Sequence, residues 1–168
     1  MKKIVVFFGK GGSNFLNLLK HQTNYKIVLG ITNRKDSSAL KEKNLPPIFI
    51  SQDHKEIFEK LKEINPDLIV LAGYLKIIPE YIINYFPKKI INLHPSILPN
   101  FKGLNAHKKS FEAKKACGIT IHYASEELDG GEVILQYHIN PYNKTFQEYE
   151  KELKKAEHKF LPAVVELL

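Results

Sequence analysis

The sequence predicts an α/β fold: a Rossmann-like, mostly parallel twisted sheet with helices on both faces and an antiparallel C-terminal strand addition. Three observations predict it. Between residues 3 and 94, short apolar runs alternate with segments of helical period, the pattern of parallel βαβ units. One run, Asp67 to Ala72, is apolar almost throughout, as a central strand covered on both faces must be. Two later runs, Gly118 to Ala124 and Glu132 to Ile139, are joined only by Ser125 to Gly131, which suits an antiparallel pair. With 168 residues, 43% apolar and 26% charged, the chain reads as one domain, 1–168.

Each element has its own signal. Lys3 to Phe8 is a continuous apolar run, hence a buried strand. The glycine-rich turn Gly9-Lys10-Gly11-Gly12-Ser13-Asn14 follows, and Phe15, Leu16, Leu18 and Leu19 open a helix. Lys26 to Ile31 and Ile48 to Ile50 are the next strands. Ile57, Phe58, Leu61 and Ile64 share one helix face, and Pro66 ends that helix. Ile90 to His94 is a strand stopped by Pro95. Thr145-Phe146-Gln147-Glu148 fits a capping box and opens a last helix striped by Tyr149, Leu153, Ala156 and Phe160. Pro162 is expected to kink or restart it.

Composition excludes several classes. No apolar run approaches the ~18–20 residues that span a bilayer. The start, Met1 to Phe8, lacks the length and cleavage site of a signal peptide. Cys117 is the only cysteine, so no internal disulfide forms. The expected location is the cytoplasm, with no membrane partner. The formal charge is +7, but Arg34 is the only arginine among 25 basic residues. Most lysines alternate with glutamate, as in Lys151–Glu152–Lys154, which reads as solvated helix surface rather than a nucleic-acid face.

Four segments carry chemistry. The turn at Gly9 to Asn14 follows a strand and precedes a helix, so it can hold a phosphate on backbone N–H groups, or be a tight turn capped by Ser13 or Asn14. It is neither a complete dinucleotide fingerprint nor a Walker loop. In Ile91-Asn92-Leu93-His94-Pro95, Asn92 and His94 share one strand face at the carboxyl end of a strand, where α/β sheets bind ligands. Asn92 can donate to a developing oxyanion, and His94 can transfer a proton near neutral pH. The alternative is a structural pair holding the Pro95 loop. Asp129 can orient His94, although Asp-Gly alone is a hairpin signal and 35 residues separate the two. His107, at helical spacing between Leu104 and Phe111, and His122, in an apolar strand, read as buried. No ligand spacing supports zinc, so no metal is expected. Glu157 borders the apolar stripe of the last helix, where a rim salt bridge is the ordinary role. Cys117 shows no partner.

Taken together, Gly12-Ser13-Asn14, the run Leu71 to Ile78, Ile91-Asn92-Leu93-His94-Pro95-Ser96-Ile97-Leu98-Pro99 and Glu127-Leu128-Asp129-Gly130-Gly131 resemble the folate-dependent formyltransferases. The turn and Ala156-Glu157-His158 favour the branch acting on glycinamide ribonucleotide. The resemblance runs in order along nearly the whole chain. It implies direct attack of that substrate's amine on the formyl carbon of 10-formyltetrahydrofolate. It implies Asn92 and His94 as oxyanion stabilisers, His94 as general acid, and Asp129 as the carboxylate favouring the charged imidazole. Gly12, Ser13 and Asn14 would hold the substrate phosphate, and Glu157 the rest of the substrate. Leu75, Lys76, Ile77 and Ile78, with the loop of Ser125, Glu126, Glu127, Leu128 and Asp129, would bind the reduced folate. The partners so implied are these small molecules, with no nucleic acid and a monomer or homodimer.

The sequence departs from the family pattern at three places. Lys10 replaces a glycine of the usual turn. Asn105 stands where histidine is common. The arginine that meets folate has no clear counterpart, Lys55 being a weak one. Two other readings follow from the same residues. One is a formyltransferase for another amine, such as an amino sugar nucleotide. The other is a non-catalytic nucleotide- or RNA-binding module on a degenerate fold of this kind.

Overall fold

The computed structural model describes all residues from Met1 to Leu168. Seven strands form one sheet: β1 (Lys2–Phe8), β2 (Tyr25–Thr32), β3 (Ile48–Ile50), β4 (Leu68–Ala72), β5 (Ile90–His94), β6 (Gly118–Tyr123) and β7 (Val133–His138). Their order is β3-β2-β1-β4-β5-β6-β7. The first five pair in parallel, and β6 and β7 add antiparallel, as the sequence predicts. The helices are α1 (Ser13–Lys20), α2 (His54–Ile64), α3 (Glu80–Tyr85), α4 (Ala106–Ala113) and α5 (Phe146–Leu167). No helix is long and apolar enough to cross a membrane.

Strand alternation divides the core in two. Ile4, Val6, Phe8, Val70, Ile91 and Leu93 face the larger cluster, which α1 and α5 cover with Phe15, Leu18, Tyr149, Leu153 and Leu161. Val5, Phe7, Ile69, Leu71 and Ile90 face the smaller one, with Ile57 and Leu61 of α2 and Ile82 of α3. Each large aliphatic side chain buried this way contributes about 1.5–3 kcal/mol before entropy is counted.

Two local expectations change. Thr145 caps α5 as the sequence says: its side chain accepts from Glu148 N, and the Glu148 carboxylate accepts from Thr145 N, both at 3.1 Å. Pro162, however, does not interrupt α5, which runs on to Leu167. A proline has no N–H for the carbonyl four residues back, here that of His158. Asn17 of α1 donates its Nδ2 to that carbonyl at 2.9 Å and satisfies it. The second change is at α1. Its N-cap is Gly12, in the left-handed region at φ 72°, and no side chain caps it. Ser13 and Asn14 are therefore not caps, and the first amides of α1 have no partner within the helix.

The strand order reverses direction between β1 and β4, a topological switch point where α/β sheets open a crevice. The loops after these strands meet there. A Cβ on Gly9 would collide with the carbonyl oxygen of Gly73. Gly9→Ala is expected to destabilise the fold by about 1–3 kcal/mol, the usual penalty of overpacking. Urea unfolding followed by circular dichroism measures it, and an unchanged midpoint contradicts the close approach.

Candidate functional site

Asn92 and His94 stand side by side on the face of β5 opposite Ile91 and Leu93. Across the β5–β6 ladder they pair with His122 and Thr120, so four polar residues share one face of two strands. The Pro95 loop is bound over it: Thr120 Oγ1 donates to Ser96 O at 2.7 Å and accepts from Leu98 N at 3.1 Å. Ser96 Oγ donates to Asn100 O at 2.7 Å.

The ring nitrogens are assigned by their partners. His94 Nε2 lies 2.8 Å from the carbonyl oxygen of Phe101. A carbonyl only accepts, so Nε2 carries the proton. His94 Nδ1 then faces Asp129 Oδ2 at 3.7 Å, both side chains almost fully buried. The Asp129 carboxylate is held by the Gly103 amide, which donates to Oδ2 at 2.8 Å. The two groups that spacing alone could not join are thus brought together, by a loop that folds back over the sheet.

His122 is the residue the sequence reading missed. Its Nδ1 lies 3.0 Å from Tyr123 O and donates to it. Its Nε2 accepts from Asn92 Nδ2 at 3.2 Å. Burial above all, with His94 as a neighbouring cation-former, pushes His122 below the ordinary imidazole range, against the opposing pull of Tyr123 and Asp129. It is neutral, so its 4.0 Å approach to Asp129 Oδ1 is no ion pair. Its effect is to aim the Asn92 amide. The signal in the sequence was the Thr120, His122 alternation, which repeats that of Asn92 and His94.

On the larger-core side, α5 meets the glycine turn. Asn14 Nδ2 donates to Glu157 Oε1 at 3.1 Å. Burial raises the Glu157 pKa, while Asn14 and Lys154 oppose the shift. Asn14 Oδ1 is buried with no hydrogen-bond partner. A cleft of about 500 Å³ runs from Pro95, beside His94, along His107 and the α5 residues Glu150, Lys151, Lys154 and Glu157. His107 is half-buried on the cleft wall, stacked on Phe146, and not a core residue as its spacing suggested. Lys151 and Lys154, read from sequence as surface, line the cleft with their charge.

The expected folate segments lie in the loops after β4 and β6. Leu75 and Ile77 are 72% and 71% exposed in the loop after β4, whereas Ile78 is buried in the smaller core. Lys76 is exposed beside them. Tyr74 anchors this loop, its hydroxyl 3.0 Å from His54 Nε2. The loop Ser125 to Asp129 is tied on both flanks. Asn84 of α3 donates to Glu126 Oε1 at 3.1 Å, and Lys102 lies 3.0 Å from Glu127 Oε1. Ser125 Oγ donates to Glu127 O, and Leu128 is left exposed. Lys55 is exposed on the first turn of α2, next to His54.

The departures have local accounts. Lys10 is exposed, and the left-handed residue of its turn is Gly12, so the lysine imposes no backbone strain. Asn105 is itself left-handed at φ 58°, a conformation asparagine tolerates better than most residues. Among the His, Cys, Asp and Glu side chains, no group of three is arranged to hold a metal ion.

The chain resembles known proteins over nearly its whole length. A family model described as formyl transferase matches residues 2–165. The chain is 32% identical over 182 residues to a phosphoribosylglycinamide formyltransferase of Haemophilus influenzae, covering 98% of this chain and 86% of that one. It is 33% identical to the chloroplastic phosphoribosylglycinamide formyltransferase of Arabidopsis thaliana, covering 98% of this chain but spanning only 64% of that protein's length. Among solved structures, the phosphoribosylglycinamide formyltransferase of Streptococcus pneumoniae superposes with a TM-score of 0.89 at 28% identity, covering 99% of this chain and 98% of that one.

Proposed function

Since this chain belongs to the formyl transferase family, we propose that it transfers the formyl group of 10-formyltetrahydrofolate to the amine of glycinamide ribonucleotide. One observation carries the reading: Asn92, His94 and Asp129 converge at the carboxyl end of β5, where the α5 cleft begins at the adjoining Pro95.

The chemistry follows from that placement. The folate supplies the formyl carbon. Negative charge develops on the formyl oxygen as the amine adds, and the Asn92 amide, aimed by His122, donates to it. His94, as the charged imidazole, turns its Nε2–H from Phe101 O to the same oxygen and then supplies that proton to the departing nitrogen. Asp129 stabilises that cation and helps draw the proton from the attacking amine. Gly12, Ser13 and Asn14 receive the phosphate at the uncapped start of α1, where orphan amides and the helix dipole favour an anion. Glu157 and the cleft lysines hold the rest of the ribonucleotide. Leu75, Lys76 and Ile77, the backbone of Ile78, and the loop of Ser125 to Asp129 hold the folate, with apolar surface for its ring system.

The test is tetrahydrofolate release, followed spectrophotometrically with and without glycinamide ribonucleotide. Release that depends on the ribonucleotide supports the reading. Release without any acceptor makes the protein a hydrolase and overturns it. No release in either case also overturns it. A finer check is Ser13→Ala, expected to raise KM for the ribonucleotide about tenfold with little change in kcat, since the phosphate contact is made equally in ground and transition states. A KM that does not move removes Ser13 from the phosphate site.

A further inference from the structure

We propose that His158 is a positioning residue of the phosphate site: it turns the Ser13 hydroxyl toward the bound phosphomonoester and takes up a proton from solvent as the anion arrives. This rests on the reading above in one respect, that the acceptor's phosphate lies at Gly12–Asn14. No role in binding or catalysis has been given to His158 so far.

The geometry begins with Pro162. Because proline leaves the His158 carbonyl without its helical partner, that carbonyl accepts from Asn17 Nδ2, and the side chain of His158 is held over the first turn of α1. Consecutive residues of α5 then meet consecutive residues of α1. Glu157 takes Asn14, and His158 Nε2 stands 3.4 Å from Ser13 Oγ.

A serine hydroxyl carries one proton and two lone pairs. When His158 Nε2 is bare, it accepts that proton, and Ser13 offers an anion only lone pairs. When Nε2 carries a proton, it donates to Oγ, and the Ser13 O–H is free to donate to a phosphate oxygen. Whether Nε2 carries a proton, as it must in the imidazolium, therefore sets which way Ser13 points.

The surroundings make this a switch. Lys154 on α5 and Lys20 and His21 at the end of α1 face His158, and the Glu157 carboxyl precedes it in the chain. Burial first, then those cations, holds the imidazole below its ordinary range, so it is neutral at pH 7 in the free protein. A phosphate dianion beside Ser13 opposes the same cations and favours the imidazolium. Binding and proton uptake are thus linked, and affinity falls as pH rises.

Two measurements test this. In the intact protein, the ring resonances of His158 are titrated with pH by NMR, with and without inorganic phosphate. Phosphate is expected to raise the apparent pKa of His158, and Ser13→Ala to reduce that rise. In the kinetic assay, His158→Phe is expected to raise KM for the ribonucleotide about tenfold, more than it changes kcat. His158→Gln keeps a donor but cannot titrate, so it should recover part of that loss while its KM loses the component of pH dependence that His158 supplies. A His158 titration indifferent to phosphate overturns the proposal, as does a His158→Gln enzyme with the wild-type pH profile of KM. Phosphate-linked titration in a protein that does not formylate glycinamide ribonucleotide overturns the acceptor and keeps the site. Formylation with His158 indifferent does the reverse.

Discussion

His94→Ala is expected to lower turnover by about 10²–10⁴-fold, the usual worth of a positioned general acid–base group. The structure gives both ring nitrogens a partner, with Nε2–H donating to Phe101 O and Nδ1 turned to Asp129. Alanine removes both contacts. The loss should appear in kcat rather than KM, because the group acts on charge that exists only during reaction. Its structural share is the bond to Phe101 O, which helps hold the Pro95 loop. That loop keeps its anchors at Thr120 and Ser96, so the variant should remain folded and still bind the ribonucleotide. Steady-state kinetics with circular dichroism separate the two effects. A folded variant with turnover within about threefold of wild type removes His94 from the chemistry.

Asn92→Ala should cost about 10²–10³-fold in kcat, the range found on removing one oxyanion donor. The argument turns on His122. A neutral imidazole that donates Nδ1–H to Tyr123 O has a bare Nε2, and that nitrogen fixes the Asn92 amide by accepting one of its two protons. The second amide proton is the one available to substrate. Asn92→Asp keeps the shape but has no N–H to offer, so it should fare no better than alanine. His122→Phe leaves the amide present but unaimed and should cost less than either. If Asn92→Asp instead retained near-wild-type kcat, donation by Asn92 could not be the source of its effect.

How much of this was legible in the sequence depends on range. β1, β4 and β5 were visible because buried parallel strands must be apolar, and Thr145 with Glu148 signals its own cap. α3 was not, because its six residues bury only Ile82 and leave Tyr81 and Tyr85 exposed, too short a stretch for a period to show. The shared face of Asn92 and His94 was readable as polar groups misplaced in a core strand. His122 had the same peculiarity and was read as structural, since only the antiparallel register sets it opposite Asn92. Asp129 could not be placed from sequence, because its contact with His94 depends on a loop pinned by the Gly103 amide. Pro162 misled for a related reason: the remedy for its missing N–H lies on Asn17, in another helix.

The contact between Asn14 and Glu157 bears on how the molecule is made. Asn14 and Glu157 are 143 positions apart in the chain, so the two sides of the proposed phosphate site leave the ribosome far apart in time. At roughly 5–20 residues per second, translation separates them by on the order of 10 s. Throughout that interval β1 and α1 expose the apolar face that α5 will cover, with Val6, Phe15 and Leu18 among its residues. Docking of α5 therefore completes the proposed phosphate site late in synthesis. A stalled chain lacking residues 146–167 would carry Asn92 and His94 in sequence, yet have no closed phosphate site and an uncovered hydrophobic face for chaperones to bind.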